Sequence, residues 1–286
     1  MSASEVLSDM PPHWQVIISR REDITDWVIH WTRYRLTREE GYLTTFDVLK
    51  LILQCGYLKP TFAPRRSRTV YVQNNTIQGN NPAVCFTDQP LGAFIQSCKT
   101  LPSRYKPYGL AFEKRHLFSY GARPVVYGDT SLLGRLSDED KYLWVHYNPI
   151  PNRLLKNFPL DWTHEREWRT RATPYVYPDW GRTPDEGVPL ILPPVYIDGQ
   201  LVISTPVVLV KTLPEIKELR DFLIGASTYD EPNGFITRLY ERFTELRIVP
   251  LDFVLDRLKA GEKRWARLET LPWNELALYL RAAGIE

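Results

Sequence analysis

Apolar residues follow two different patterns along this chain. Dense apolar runs predict buried strands. They lie at 27–32, 84–87, 108–112, 124–127, 188–192 and 207–210. Apolar residues spaced by three and four positions predict amphipathic helices instead. These lie at 45–53, 91–99, 214–224, 235–246, 251–259 and 273–283. Strands and helices in this irregular order indicate an α+β fold.

Turn residues and the spacing pattern divide the chain into three parts. Residues 1–25 form a lead-in, residues 26–230 a mixed α+β body, and residues 231–286 a helical C-terminal annex, because helical spacing dominates there. Within the body, Asp198-Gly199 splits the apolar run 195–203 and is typical of a type I′ hairpin turn.

Composition bounds the class of protein. The chain has 286 residues, 43% of them hydrophobic and 24% charged, which is typical of a globular protein with a sizeable core. Its net charge is only +2, so binding of nucleic acid must rest on local basic patches. Three scattered cysteines, no signal-peptide pattern and no long apolar run predict a cytoplasmic protein without a membrane segment.

The segment Asp161–Arg169 carries the most informative chemistry. Glu165 and Glu167 are two residues apart, and in a single strand their side chains would share one face. Two carboxylates that close together raise each other's proton affinity, which is useful mainly at a reactive site. The alternative is an exposed strand end in which Arg166 and Arg169 neutralise both charges.

An ordered set of short motifs carries a family resemblance. In chain order they are His30-Trp31-Thr32, Ile52–Leu58, Ala83–Leu91, Tyr105–Lys114, Ala122–Tyr127 and Trp162–Arg169. This set resembles the AbiGi-like abortive-infection family of bacterial phage defence and, more distantly, the DarT-type ADP-ribosyltransferases. The resemblance covers roughly residues 26–225.

The resemblance implies an ADP-ribosyltransferase-like fold, a split mixed β-sheet with flanking helices and a cleft that binds NAD as a substrate. It implies that His30 and Thr32 contact NAD, that Glu167 is the catalytic carboxylate, and that Glu165 is the upstream carboxylate of a Glu-x-Glu pattern. The alternative for His30 is a core position on an apolar strand.

The nicotinamide-stacking residue is left open. Many such transferases have Ser-Thr-Ser or a tyrosine on the second strand, whereas this chain has Phe86-Thr87-Asp88. Four aromatic residues compete for the stacking role. They are Phe86, Tyr108, Phe112 and Tyr127.

A basic stretch is the candidate contact to an acceptor. No Asp or Glu occurs from Val48 to Thr87, and the basic residues of this stretch include Arg65, Arg66 and Arg68. Basic residues near an aromatic and amides suit a nucleic-acid backbone, although a solvated basic loop has the same composition.

These observations lead to one main hypothesis and two alternatives. The main hypothesis is an NAD-dependent ADP-ribosyltransferase that modifies a macromolecule, nucleic acid (DNA or RNA) above all, as a bacterial toxin or anti-phage effector. The resemblance then implies an antitoxin or a phage trigger as a further partner. The alternatives are an NAD glycohydrolase and a non-catalytic module of the same fold that binds a nucleotide or a partner.

Overall fold

The fold is taken from a computed structural model. It describes residues 23–33, 35–36, 42–62, 76–150, 161–171, 187–190, 195–197, 200–202, 205–227 and 246–285. Within these ranges the chain is a mixed α+β protein with multi-stranded sheet and several helices, which confirms the predicted class.

The strands are numbered in chain order. They are β1 (Trp27–Trp31), β2 (Arg35–Leu36), β3 (Tyr42–Leu43), β4 (Tyr57–Leu58), β5 (Ala83–Thr87), β6 (Gly109–Glu113), β7 (Arg123–Pro124), β8 (Val126–Gly128), β9 (Trp144–His146), β10 (Glu167–Arg171), β11 (Val188–Pro189), β12 (Val195–Ile197), β13 (Gln200–Val202), β14 (Val207–Val210) and β15 (Ile248–Pro250).

The α-helices follow the same numbering. They are α1 (Thr45–Cys55), α2 (Leu91–Thr100), α3 (Lys114–Ser119), α4 (Thr130–Leu133), α5 (Leu213–Ser227), α6 (Leu251–Lys259) and α7 (Trp273–Ala282). Short 3-10 helices cover Lys141–Leu143, Thr163–Glu165, Lys263–Ala266 and Leu268–Thr270. The predicted helix over 235–246 lies almost entirely outside the described residues. None of the helices in the described ranges is long and apolar enough to cross a bilayer.

The chain folds into two compact units, each built from separate stretches. The first unit takes its described residues from 1–55, 88–114 and 205–286, and the second from 56–87 and 115–204. In the first unit four strands pair in the order β15-β14-β6-β1. The β1–β6 and β6–β14 pairs are antiparallel and the β14–β15 pair is parallel, so this is a mixed sheet.

One apolar core supports the first unit. All four residues of β14 have no exposed surface, and burial of each such side chain is worth about 1.5–3 kcal/mol. The same core contains Trp27 and Trp31 of β1, Phe94 of α2, and Trp265 from the C-terminal region. The described part of 246–285 therefore packs directly against the sheet of this unit. β15 was not predicted there, since the sequence pattern indicated helices alone.

Local sequence explains the start and end of α1. Thr44 and Asp47 form a reciprocal capping box: the Asp47 N–H donates to Thr44 Oγ1 and the Thr44 N–H to Asp47 Oδ2, both at 3.1 Å. Phe46, Leu49 and Leu53 form the buried face. Gly56 follows the last turn with a φ of 76°, a conformation that glycine adopts without strain.

The second unit has a three-stranded antiparallel sheet. Its strands pair in the order β5-β10-β7, with Glu167 opposite Thr87 and Arg169 opposite Cys85. β8 and β9 form a separate parallel pair, and β12 and β13 form the hairpin predicted from Asp198-Gly199. A smaller core of Ile77, Ala83 and Tyr142 lies in this unit.

Candidate functional site

The predicted site residues are divided between the two units. Glu165, Glu167, Phe86 and Tyr127 belong to the second unit. His30, Thr32, Tyr108 and Phe112 belong to the first. The predicted contacts to nucleic acid, Arg65, Arg66 and Arg68, lie outside the described residues.

The two carboxylates do not share one strand. Glu165 ends the 3-10 helix Thr163–Glu165, and the strand β10 begins only at Glu167. Arg166 between them has a φ of 46°, in the left-handed region. The prediction that Glu165 and Glu167 lie side by side on one strand face is therefore wrong.

A side-chain turn explains the difference. Asp161 Oδ1 accepts hydrogen bonds from the Thr163 N–H at 2.9 Å and from the Thr163 hydroxyl at 2.6 Å. This arrangement starts the 3-10 helix, in which Trp162 O accepts from the Glu165 N–H. Local bonds of this kind compete with strand pairing, and Asp161-x-Thr163 was the sequence signal for them.

Glu167 is held by a buried arginine. Arg169 Nε donates to Glu167 Oε1 at 2.9 Å, and a second guanidinium nitrogen donates to Oε2 at 3.3 Å. The two side chains are only 4% and 10% exposed. Arg169 also donates to the carbonyl oxygens of Tyr142 and Trp144, at 2.6 and 3.0 Å. The guanidinium thus fixes both oxygens of the carboxylate in a bidentate pair.

The charge of Arg169 is stabilised inside the protein. Burial by itself lowers the pKa of Arg169, but the charge of Glu167 and the hydrogen bond to it act against burial, and the pKa stays above its ordinary value. From the sequence, Arg169 was expected only to neutralise the charges of Glu165 and Glu167 together with Arg166. The i, i+2 spacing of Glu167 and Arg169 in a strand was the signal that these two side chains share a face.

Tyr127 contacts the backbone at the start of β10. Its hydroxyl oxygen accepts a hydrogen bond of 3.0 Å from the Glu167 N–H. Burial raises the pKa of Tyr127 to about 12, and the negative charges of Glu167 and Glu165 act in the same direction. The Tyr127 phenol is therefore neutral over the physiological pH range. The structure thus brings together three of the predicted residues.

Thr87 and Phe86 complete the surroundings of this cluster. Thr87 is fully buried, and its hydroxyl donates to the carbonyl oxygen of Glu165 at 2.5 Å. Glu165 itself is 4% exposed. Phe86 is also fully buried and lies opposite Trp168 in the sheet, a position in the packed interior. Thr87 thus supports the turn before β10. It does not cap α2, whose N-cap residue is Pro90 and whose first turn has no side-chain cap.

The predicted residues of the first unit form a second group. The hydroxyl of the buried Thr32 donates to the carbonyl oxygen of Thr45 at 2.7 Å, and its N–H donates to Tyr108 O at 2.9 Å. The Tyr108 hydroxyl donates to Glu215 at 2.7 Å. His30 is half-buried on β1, opposite Leu110.

Thr32 and Tyr108 are therefore neighbours, and both of their hydroxyls donate within the protein. Phe112, the fourth predicted residue of this unit, is 1% exposed.

Neither a metal site among the described residues nor a relative points to a function. In the described ranges of the chain, no group of three or more His, Cys, Asp or Glu residues is arranged to hold a metal ion. Comparison with models of protein families, with curated proteins and with solved structures found nothing that matches this chain.

Proposed function

We propose that this chain is an NAD-dependent ADP-ribosyltransferase that modifies a macromolecule, with nucleic acid as the acceptor and with a role as a bacterial toxin or anti-phage effector. The observation that carries the proposal is the cluster of Glu165, Glu167 and Tyr127 in the second unit. The Tyr127 hydroxyl accepts from the Glu167 N–H, and the left-handed Arg166 separates Glu167 from the buried Glu165. The order of motifs that resembles DarT-type transferases is the other support.

The chemistry needs an oriented carboxylate. When the bond between nicotinamide and ribose C1′ breaks, nicotinamide leaves with the electron pair and positive charge develops on the ribose, as in glycoside hydrolysis. A nucleophile of the acceptor then bonds to C1′ and loses its proton. A fixed carboxylate stabilises the charged state or accepts a hydrogen bond from the ribose 2′-hydroxyl.

Glu167 suits this role in its present contacts. A carboxylate offers about four lone-pair directions, and the two bonds from Arg169 occupy two of them. The remaining directions can accept a hydroxyl group of the substrate. Arg169 is then a positioning residue, because its two hydrogen bonds hold the Glu167 carboxylate in one orientation.

The backbone at Arg166 supports a functional role. Arg166 is the only non-glycine residue with a positive φ in the described part of the chain. Such conformations cost on the order of 1–3 kcal/mol and cluster at functional sites. Here the left-handed residue separates Glu165 from Glu167 and gives each carboxylate its own backbone setting.

The acceptor is proposed from charge. The stretch from Val48 to Thr87 contains five basic residues and no acidic ones, and Arg65, Arg66 and Arg68 form its densest part. Phosphate backbones are bound chiefly by such residues, so DNA or RNA is the favoured acceptor class.

A second candidate function rests on the Glu167–Arg169 pair. An ion pair that is almost fully buried is also what a purely structural role requires. In that case the chain is a non-catalytic module that binds a nucleotide or a partner. NAD hydrolysis without an acceptor is the third possibility, and the same assay separates all three.

The assay is incubation with NAD labelled in its adenylate phosphate, with DNA, RNA or cell lysate, including lysate from phage-infected bacteria. The proteins are the wild type, Glu167→Gln, Glu165→Gln and the control Glu139→Gln. Glu139 pairs with Arg171, which lies on β10 as Glu167 does, but the Glu139 side chain is 73% exposed. The control therefore removes a carboxylate paired with arginine outside the cluster.

The transferase proposal expects label on a macromolecule with the wild type and the control. With Glu167→Gln it expects a loss of about 10²–10³-fold, typical of removing one electrostatic stabiliser. NAD loss without labelled product favours the glycohydrolase. Intact NAD in every mixture, with all four proteins folded, contradicts catalysis and favours the binding module.

A further inference from the structure

A pocket of about 420 Å³ is lined entirely by residues of the first unit. Four parts of this unit line it: the start of α1, the end of α2 with the loop that precedes β6, the end of β14, and the start of α6. The volume is in the lower part of the range of about 300–1,000 Å³ that small-molecule pockets have.

Positive charge predominates at this pocket. Lys99, Lys106 and Lys211 line it, against the single carboxylate of Asp252. Lys99 and Lys211 are exposed, and neither has an ion-pair partner in the part of the chain that the structure describes. An anionic group would therefore find two ammonium groups that are not already neutralised.

The third lysine, Lys106, is half-buried and lines the same pocket. Burial raises the pKa of the Cys98 thiol to about 12, and the charge of Lys106 acts against that rise. Cys98 lines the pocket, so the ammonium group of Lys106 is near the same wall. Its charge is less screened there than at an open surface.

The start of α6 adds to the positive potential. Its N-cap residue is Pro250, and no side chain caps its first turn. Leu251, Asp252 and Leu255 of α6 line the pocket, so the first turn of a nine-residue helix faces it. The N-terminal end of a helix favours a negative group, and this adds to the attraction of the lysines.

The rest of the wall is apolar and partly aromatic. Phe46 and Tyr108 have ring centroids 5.4 Å apart, and both line the pocket with the buried Tyr105. Flat rings of this kind stack on an aromatic ring of a ligand. A pocket that combines aromatic walls with cationic residues suits a ligand with one flat ring and one anionic group.

We propose that this pocket binds a ring-bearing organic anion of the size of a mononucleotide, with its anionic group at Lys99, Lys106 and Lys211 and its ring against Phe46 and Tyr108. The proposal does not require the transferase function, although Tyr108 is also one of the candidates for the nicotinamide-stacking role. Either a phosphate monoester or a carboxylate supplies the anionic group, and these two sources are separate arms of the test.

The test is isothermal titration calorimetry at low salt with four probes: adenosine 5′-monophosphate, adenosine, inorganic phosphate and indole-3-acetate. The proteins are the wild type, the double variant Lys106→Gln/Lys211→Gln, and the control Lys217→Gln. Lys217 is an exposed lysine of α5 that does not line the pocket. Urea unfolding of each protein shows whether it is folded.

The monophosphate or the indole carboxylate should bind the wild type and the control at least tenfold more tightly than adenosine or phosphate does. The probe that binds more tightly shows whether the pocket prefers a phosphate monoester or a carboxylate. The double lysine variant should weaken that binding by at least tenfold. Leu255→Trp, which fills the pocket without a change of charge, should abolish it.

Three results overturn the proposal. One is that neither ring-bearing anion binds with a Kd below about 1 mM. Another is that inorganic phosphate binds as tightly as the monophosphate, since the ring then contributes nothing. The last is that binding survives unchanged in the folded lysine variant, which places the ligand elsewhere.

Discussion

Replacing Arg169 by methionine tests the contact on which the site depends. The change removes both hydrogen bonds to the Glu167 carboxylate, at 2.9 and 3.3 Å. It also removes the donors to the carbonyl oxygens of Tyr142 and Trp144. Because the Glu167 side chain is only 10% exposed, water cannot fully replace the lost guanidinium. The carboxylate is left buried without its main partner.

The size of the effect follows from burial. Removing one partner of a buried ion pair typically costs about 3–5 kcal/mol in the free energy of unfolding. The neighbouring pair of Arg171 and Glu139 is the matched control, since these side chains are 43% and 73% exposed. Exposed pairs contribute about 0–1 kcal/mol. Arg169→Met should therefore destabilise the protein several times more than Arg171→Met does.

The assay is urea unfolding followed by tryptophan fluorescence and far-ultraviolet circular dichroism, with Glu167→Gln and the double variant included. Glutamine keeps the shape of Glu167 without its charge, so the double variant contains no uncompensated carboxylate. Its stability loss should be smaller than the sum of the two single losses, with a coupling energy of about 0.5–3 kcal/mol.

Two results would refute this reasoning. If Arg169→Met costs no more than Arg171→Met, the Glu167–Arg169 pair is not buried in solution. If the losses of the single variants simply add, the two side chains do not interact. In either case the argument that Arg169 orients Glu167 for catalysis fails.

Two further predictions concern the first unit. Gly109→Ala should destabilise it by about 1–3 kcal/mol, because a Cβ there would lie 2.6 Å from the carbonyl oxygen of His30. Gly225→Ala in α5 is the control, because an added Cβ there meets nothing within 4 Å, and it should be neutral or stabilising by up to about 1 kcal/mol. Equal urea unfolding midpoints for the two variants would contradict the close approach at Gly109. At pH 8, Cys98 should react with a disulfide reagent far more slowly than the exposed Cys55. Because burial raises the pKa of Cys98 to about 12, its rate in a Cys55→Ser/Cys85→Ser variant should still rise above pH 10, and a plateau near pH 9 would contradict that value.

Elements with strong local signals were predicted closely. The strand 207–210 and the helix 251–259 have the predicted bounds. The helix predicted over 45–53 continues two residues further, to Cys55. In each case the apolar spacing and the flanking residues suffice, because burial of one face and local capping determine the element. The hairpin at Asp198-Gly199 is of the same kind, since its turn sequence specifies a two-residue loop.

Elements that depend on distant partners could not be predicted in this way. β15 contains only Ile248, Val249 and Pro250, which is too short to show a period. It becomes a strand because it pairs in parallel with β14, almost forty positions earlier in the chain. Its preceding segment has helical spacing, so local pattern favoured a helix throughout.

The pocket of the first unit was also beyond sequence analysis. Lys211 lies more than a hundred positions after Lys99 and Lys106, and each lysine by itself is typical of a solvated surface. Only the fold places them around one concave wall with the start of α6. Residues that only the fold brings together form no short sequence pattern, whereas the spacing of Glu165 and Glu167 is read directly from the sequence.

That spacing also shows why a short pattern does not determine a site. Two acidic residues two positions apart were expected to be equivalent neighbours on one strand. Asp161 starts a 3-10 turn and Arg166 is left-handed, so Glu165 is supported by the turn and by Thr87, while Glu167 is supported by Arg169. The carboxylates therefore cannot exchange roles. Replacing Glu165 by glutamine changes the surroundings of Tyr127 but leaves the ion pair between Glu167 and Arg169 intact. If Glu167 is the catalytic carboxylate, Glu165→Gln should therefore reduce transferase activity less than Glu167→Gln does.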